Sequence, residues 1–185
     1  MGTQHLILGK TTDYITGKTV TDTHDERARQ KIAKLLVEEK GYKKSEIHTR
    51  LQLSVEIDGK TGKIPIDFLV KPEGKPFMLV LFRPGSLVSR RRSAVAAARL
   101  MESRIIPYAA VTNAEDAELL ESRSGKVAGT GLDSFFSREE ALAVLDEIKH
   151  GRPPDSDRRE KEKRILFAME ILSQKECEDY TCNLF

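Results

Sequence analysis

The sequence predicts an α/β fold with three layers, in which a mixed β-sheet lies between two layers of helices. Two stretches, 51–57 and 64–70, alternate apolar and polar residues as half-buried strands do. Two further stretches, 76–82 and 104–113, contain long apolar runs typical of strands that are covered on both faces. Helical patterns before, between and after these strands supply the two covering layers.

The first helix is predicted over residues 21–42 by an apolar stripe and by signals at both ends. Thr23 and Glu26 have the spacing of a capping box, in which each side chain accepts a hydrogen bond from the other residue's backbone. Gly41 is typical of the residue that ends a helix in the left-handed conformation. Residues 1–21 show no sustained period, so we expect a loosely attached N-terminal arm ahead of an α/β domain at 22–150.

The segment "DGKTGK" between the two alternating stretches is typical of a hairpin turn. In one pairing Ile57 lies opposite Ile64, which makes Glu56 a diagonal neighbour of Asp67 on one face of the sheet. Acidic residues are depleted in strands, so Asp67 is a candidate site residue; a strand acid that faces solvent is the alternative. The apolar residues of the second strand are expected to share one face: Ile64, Ile66, Phe68 and Val70.

Helices are also predicted around the later strands. The segment 86–103 contains "AVAAARL", whose small side chains suit close packing on a sheet, and a second capping box, Ser137 with Glu140, opens a helix at 137–150. Residues 151–157, "GRPPDSD", are the clearest linker. Beyond it, 158–185 is predicted to form an amphipathic C-terminal helix and a tail. The apolar side of this helix contains Ile165, Leu166, Met169 and Leu172.

Composition limits the class of protein. A chain of 185 residues fits one domain, and no apolar run approaches the roughly 18 residues that a membrane span needs. The N-terminus lacks the pattern of a secretory signal, so a cytoplasmic location is expected. Cys177 and Cys182 are too few for a disulfide framework or a zinc site, and their role is left open.

Four arginines form the best candidate for a phosphate-binding surface. The net charge of +2 does not by itself indicate a nucleic-acid partner, so any such signal must come from clustering. Arg90, Arg91 and Arg92 lie near the start of a predicted helix, where the helix dipole disfavours cations, and Arg83 precedes them. Phosphate contact explains such a cluster. The alternative is a solvated face whose arginines pair with neighbouring acids.

The ordered patterns over residues 20–148 resemble the nuclease-like N-terminal domain of type I restriction enzyme R subunits, a group of PD-(D/E)XK nucleases. The matching features are "DERARQKIAKLLVEEKGY", a hairpin that ends in "IPIDFLV", a core strand followed by "RPG", and "YAAVTNAEDAELLES" followed by "SGKV". The resemblance implies a restriction-endonuclease-like fold, with DNA as the partner. It also implies a site in which Asp67 and Glu26 bind Mg²⁺, which activates a water molecule.

The third strand departs from the family's (D/E)-x-K pattern. The acid and lysine positions carry Val80 and Phe82, or Leu81 and Arg83 if the register shifts by one residue. Neither register supplies a carboxylate. We therefore expect a stand-alone, DNA-associated domain with a degenerate, inactive site.

Two alternatives remain open at this point. The first is an active Mg²⁺-dependent DNA endonuclease with a displaced acid, which uses Asp67, Glu26 and Glu56 as ligands and an arginine in place of the lysine. The second is a protein-interaction module, in which the C-terminal helix mediates a homodimer or binds a protein partner. The first alternative requires Mg²⁺, and the second requires no cofactor.

Overall fold

A computed structural model describes residues 7–145, 147 and 155–172 of the chain. Its main sheet has six strands in chain order, and neighbouring strands are antiparallel except β5 and β6, which are parallel. A parallel pair needs a crossover, which the helix between β5 and β6 supplies. The strands are β3 (Ile47–Ile57), β4 (Lys60–Val70), β5 (Met78–Phe82), β6 (Tyr108–Thr112), β7 (Ala117–Glu121) and β8 (Val127–Thr130).

The helices cover both faces of this sheet. Residues of α1 (His24–Lys34) and α3 (Arg138–Leu145) share one hydrophobic cluster, and residues of α2 (Arg91–Leu100) and α4 (Ser156–Leu166) share the other. Alternate residues of β5 enter the two clusters, since Leu79 lies in the second and Val80 in the first. All five β5 residues are buried, which explains the continuous apolar run. The predicted three-layer α/β class is confirmed.

The helix ends follow the sequence signals. The Thr23 hydroxyl accepts the backbone N–H of Glu26 at 3.1 Å, and α1 continues as a π-helical turn over Leu35–Glu39. Gly41 then has a φ of 76°, as a C-terminal glycine should. Both hydrogen bonds of the Ser137–Glu140 capping box are present.

The hairpin between β3 and β4 has a shorter turn than the sequence analysis assumed. Asp58 and Gly59 form the turn with φ values of 48° and 73°, the pair of positive values that a two-residue hairpin turn requires. Ile57 consequently pairs with Lys60, so the predicted pairing of Ile57 with Ile64 is wrong. Glu56 pairs with Thr61 beside the turn. Asp67 lies six positions after Thr61 on β4, a distance of about 20 Å at the usual strand rise.

At Asp67 the apolar side chains of β4 change from one face of the sheet to the other. Ile64 and Ile66 pack in the cluster of α2 and α4, whereas Phe68 and Val70 pack in the cluster of α1 and α3. The prediction that these four side chains share one face is therefore wrong. The ladder pairs residues 49 with 68 and 51 with 66, but the intervening position is interrupted, because Arg50 has a φ of 55°. A left-handed residue in one strand breaks the regular alternation.

The N-terminal region contains an additional hairpin. Strands β1 (Gly9–Thr12) and β2 (Thr19–Asp22) form a separate two-stranded sheet. Asp13, in the connecting turn, is buried and contacts Arg50 of β3. Residues 9–22 thus form a hairpin that contacts the domain, in a region where the sequence analysis expected a loose arm.

The C-terminal helix packs on the domain. Helix α4 continues as a π-helical turn over Phe167–Leu172, and Leu166 and Ile171 are buried in the cluster that contains α2. Of the apolar side proposed for dimer formation, Leu166 is buried in this cluster and Ile165 packs half-buried against it. Residues 151–154 of the predicted linker and 173–185, with Cys177 and Cys182, lie outside the described residues. In the described part of the chain, no helix has the length and apolar character that crossing a membrane requires.

Candidate functional site

Asp67 lies where the pairing of β4 with β5 ends. The ladder between these strands runs from Val70 with Met78 to Phe68 with Val80. One residue further along β4, the Asp67 Oδ2 accepts the backbone N–H of Phe82 at 2.8 Å. The side chain is only 3% exposed. The acid in this strand therefore satisfies a backbone donor of the apolar strand beside it, which would otherwise be buried without a partner.

Two arginines bind the same carboxylate. Arg29 of α1 donates from Nε to the Asp67 Oδ1 at 2.7 Å, and Arg83 donates from Nη1 to Oδ2 at 3.1 Å. Arg29 also lies over the Phe82 ring, 5.4 Å from its centroid. Each oxygen of Asp67 therefore has at least one protein donor within hydrogen-bond distance.

Glu26 is the second carboxylate of the site, and α1 places it close to the first. Its Oε1 accepts hydrogen bonds from Arg50 Nη2 at 2.6 Å and from Gln30 Nε2 at 2.7 Å. Its Oε2 lies 3.8 Å from Arg29 Nη1. Arg29 thus contacts Glu26 and Asp67 together. Only one half of the predicted capping box forms here, because the Glu26 side chain points to arginines instead of the helix start.

Asp13 is a third carboxylate, which the N-terminal hairpin contributes. Arg50 Nη2 lies 2.9 Å from the Asp13 Oδ2 as well as contacting Glu26. Burial raises the pKa of Asp13, but hydrogen bonds from the Thr16 backbone and from Arg50 outweigh that effect and leave the pKa below its usual value. Arg29 and Arg50 therefore bridge three buried acids.

Arg83 connects this network to the C-terminal helix. Its Nε donates to the Glu170 Oε2 at 3.0 Å, and its Nη2 donates to the carbonyl oxygen of Pro65 at 3.0 Å. Arg90 donates from Nη1 to the carbonyl oxygen of Met169 at 3.1 Å. These contacts bring the residues after β5 against the last described turn of the chain.

The site residues do not fit Mg²⁺. This ion requires hard oxygen ligands, usually one or two carboxylates with water or phosphate. Asp67 presents both oxygens to N–H donors, and the third strand places the buried side chains of Val80 and Leu81 where the family has its second acid. Among the described residues, no group of three His, Cys, Asp or Glu side chains is arranged to hold a metal ion.

The remaining predicted site residues are Glu56 and the arginines, and each has a different environment. Glu56 is exposed beside the hairpin turn and does not join Asp67 and Glu26. Arg91 forms a bidentate ion pair with Glu118 of β7. Arg83, Arg90 and Arg91 therefore each contact a carboxylate, as the alternative of arginines that pair with neighbouring acids predicted. Arg92 is exposed, and its side chain has no hydrogen bond or ion pair within the described ranges.

Sequence reasoning missed Arg29, Arg50 and Asp13. Arg29 follows Glu26 by three residues on one helix, a spacing that places the two side chains together. Asp13 accepts the backbone N–H groups of Ile15 and Thr16, which is local turn chemistry that aspartate favours. Arg50 carries no comparable signal, because its partners lie 24 and 37 residues away.

Two cavities adjoin the network. One of about 280 Å³ lies between α1, β3 and β4, and the side chains around it include Arg29, Arg50 and Asp67. A second of about 530 Å³ lies between the N-terminal hairpin and the start of α1, next to Lys10 and Arg50. Arg29 therefore borders one cavity and Arg50 borders both, even though the carboxylates are buried.

Comparison with known proteins assigns the chain to a family. A family model described as the type I restriction enzyme R protein N terminus matches residues 24–135, more than half of the chain. No significant match was found among curated proteins or among solved structures. The matched residues include Glu26, Asp67 and Arg83, whereas Asp13 and Glu170 lie outside them.

Proposed function

The chain belongs to the family of type I restriction enzyme R protein N termini, and from this premise we propose that it is a DNA-associated domain that does not cleave DNA. One observation supports the absence of DNA cleavage. Both oxygens of Asp67, the acid expected to bind Mg²⁺, accept hydrogen bonds from protein donors.

The argument against cleavage is electrostatic. Arg29 and Arg83 supply the positive charge that a divalent cation supplies in a nuclease of this fold. For Mg²⁺ to bind, at least one of these arginines must move away and leave its donors without a partner in a largely buried place. β5 adds no carboxylate to offset that cost.

The lysine position gives a second argument. A lysine can lose its proton and accept one from the attacking water, whereas an arginine stays protonated in proteins. Arg83 can therefore stabilise negative charge on a phosphate but does not serve as a general base. This property disfavours the active endonuclease, which uses an arginine in place of the lysine.

Metal titration tests the absence of a cleavage site. Mg²⁺ and then Mn²⁺ are titrated into the protein in a calorimeter, and supercoiled plasmid is incubated with the protein and each metal. We expect no saturable binding at millimolar metal and no nicking. Metal binding and nicking that are both lost in Asp67→Asn, but kept in the control Glu56→Gln, would instead support an active endonuclease whose site contains Asp67 without Glu56.

DNA association is supported by the family and by the position of Arg92. Members of a restriction enzyme family are expected to meet DNA, and Arg92 is an exposed cation beside Arg90 and Arg91 at the start of α2. Contacts of arginines with phosphates would give an affinity that depends strongly on salt and weakly on sequence.

Fluorescence anisotropy with a labelled duplex tests this association. We expect binding at 50 mM salt that weakens steeply by 200 mM salt. Arg92→Glu should weaken binding, whereas Lys31→Glu, an equal charge reversal on α1 across the sheet, should change it much less. A protein that binds neither DNA nor metal would favour the protein-interaction module, and its sedimentation would then be measured.

A further inference from the structure

A carboxylate from outside the family match lies on two of the predicted DNA-binding arginines. Glu170, in the π-helical turn after α4, has its Oε2 3.0 Å from Arg83 Nε and its Oε1 4.0 Å from Arg90 Nη1. The carbonyl oxygen of the preceding Met169 accepts a hydrogen bond from the same Arg90 nitrogen. The last described turn of the chain therefore covers Arg83 and Arg90 with acceptor oxygens.

Among the described residues, the Glu170 carboxylate uses only one of its two oxygens as a hydrogen-bond acceptor. Within the described ranges its Oε1 is buried without a hydrogen-bond partner, and its side chain is only 6% exposed. A carboxylate oxygen in that situation has lost its water without gaining a donor, which is costly. The positive charges of Arg83 and Arg90 thus lie beside a carboxylate that uses only part of its acceptor capacity.

Two other glutamate–arginine pairs of the domain are bound through both carboxylate oxygens, whereas Glu26 with Arg50 and Glu162 with Arg99 use one oxygen each. Both oxygens of Glu118 accept hydrogen bonds from Arg91, and both oxygens of Glu46 accept hydrogen bonds from Arg138. These are complete two-pronged pairs, as expected of ion pairs that only stabilise the fold. Glu170 also uses one oxygen, and its second oxygen is buried without a donor among the described residues.

The surroundings favour an anion. The first turn of α2 contains no acidic residue, and Arg90 at its N-cap position makes no side-chain capping bond. The positive end of the helix dipole therefore adds to the charges of the neighbouring arginines. A phosphate group matches this combination of charge and donors better than a planar carboxylate does.

We propose that Glu170 occupies a phosphate site formed by Arg83 and Arg90, so that a DNA backbone phosphate and the turn Phe167–Leu172 exclude one another. The proposal rests on the DNA association proposed above and adds its regulation. DNA binds at this site when the turn leaves it, and the turn lowers the affinity of the resting protein for DNA.

The C-terminal helix consists of two parts, the α-helix α4 and the π-helical turn after it. The regular part, α4, is held by the ion pair of Glu162 with the buried Arg99 and by the packing of Leu166. The hydrogen-bonding pattern changes from α to π directly after Leu166, and π-helical turns inside helices often mark functional positions. Separation of the turn from Arg83 must also take Ile171 out of the cluster of α2 and α4, while Glu162 and Leu166 keep α4 on α2.

Two glutamine substitutions in the full chain test the proposal. Glu170→Gln removes the competing charge, and Glu160→Gln removes an equal charge from exposed α4, where Glu160 pairs with Lys163. Binding of a labelled duplex is measured at 100 mM salt, after thermal unfolding has shown that both variants are folded. We expect Glu170→Gln to bind about tenfold more tightly than the native chain, the size of a typical coupling between two ligands. Glu160→Gln should bind within about threefold of it.

The outcomes separate the two proposals. Equal affinities of Glu170→Gln and Glu160→Gln would overturn the competition while leaving DNA association intact. An absence of binding by all three proteins would overturn both.

Amide hydrogen exchange of the native chain tests the exclusion between DNA and the turn independently. DNA should reduce protection in residues 167–172 and leave residues 156–166 unchanged. Protection of 167–172 that stays the same or rises on DNA binding would contradict the exclusion.

Discussion

Asp67 and Phe82 are joined by a hydrogen bond of 2.8 Å, in which the carboxylate Oδ2 accepts the backbone N–H of the neighbouring strand. The bond lies at the point where β4 and β5 cease to pair. It gives the acid a structural role that the apolar sequence of β5 does not reveal, because the donor belongs to the backbone. The arginines on the same carboxylate make its removal costly.

Asp67→Ala should destabilise the domain strongly. The substitution leaves the Phe82 N–H and two guanidinium groups without their acceptor in a buried place, a change that typically costs about 3–5 kcal/mol. Urea unfolding followed by circular dichroism measures the free energy of unfolding. Glu56→Ala, which removes an exposed acid from the same hairpin, should stay within about 0.5 kcal/mol of the native chain. Equal losses in the two variants would contradict the role of Asp67.

Arg50→Gln should loosen the N-terminal hairpin. It removes the cation that binds Asp13 and Glu26, and we expect a loss of about 1–3 kcal/mol because Arg50 is itself partly exposed. Amide exchange should rise in residues 9–22. Arg27→Gln breaks an ion pair at the surface with Asp22 and should cost under about 1 kcal/mol. A hairpin as well protected in Arg50→Gln as in Arg27→Gln would argue against this link.

Gly62→Ala should interfere with the packing of the C-terminal turn. A Cβ at this position would lie 2.0 Å from the Cδ1 and 2.8 Å from the Cγ1 of Ile171, so the isoleucine or the strand must shift. Overpacking of this kind typically costs about 1–3 kcal/mol.

The double variant supplies the control for this prediction. In the Ile171→Ala background the clash is relieved, so Gly62→Ala should cost less than half as much there. The four proteins form a thermodynamic cycle measured by urea unfolding. Strictly additive effects would show that Ile171 does not pack on Gly62 in solution.

The Glu46–Arg138 pair should make stability depend on pH in the acidic range. Hydrogen bonds from Arg138, together with backbone N–H donors, lower the pKa of Glu46 from 4.5 to about 2 although burial opposes them. A carboxyl whose pKa is lower in the folded state stabilises the fold fully above pH 4.5, and this contribution is lost as the pH falls toward 2.

Glu46→Gln isolates this contribution. The native chain should be more stable than Glu46→Gln at pH 7, and the difference should shrink between pH 4.5 and pH 2 in urea unfolding. The exposed Glu56→Gln serves as the matched variant and should show a small difference that changes little over this range. A difference for Glu46→Gln that stays constant down to pH 2 would rule out the proposed linkage.

Several features of the fold were predictable from the sequence because they depend on local patterns. The continuous apolar run at 76–82 indicates a strand buried on both faces, and the Ser137–Glu140 spacing indicates a helix start. Asp67 and Glu26, which the resemblance to the family assigned to one site, both contact Arg29. Each of these predictions uses residues that are close in the chain or follow a known order of elements.

Two predictions about the β3–β4 hairpin were wrong because local backbone conformations set its register and its faces. The turn at Asp58–Gly59 sets the register, and the left-handed conformation of Arg50 changes which face each side chain meets. A sequence containing several glycines and polar residues permits more than one turn, and the choice depends on how both strands pack. A pattern of period two therefore predicts strands without predicting their partners.

The sequence by itself determined the three-layer class, the order of the elements from α1 onward and the buried strand at the centre, since periodicity and apolar runs report how each segment is covered. Only the tertiary structure decided what surrounds the acids. Arg29 reaches Asp67 across 38 residues, and Arg83 reaches Glu170 across 87. Such ion pairs depend on the relative positions of whole elements, and an arginine's neighbours in the chain do not indicate which carboxylate it will meet.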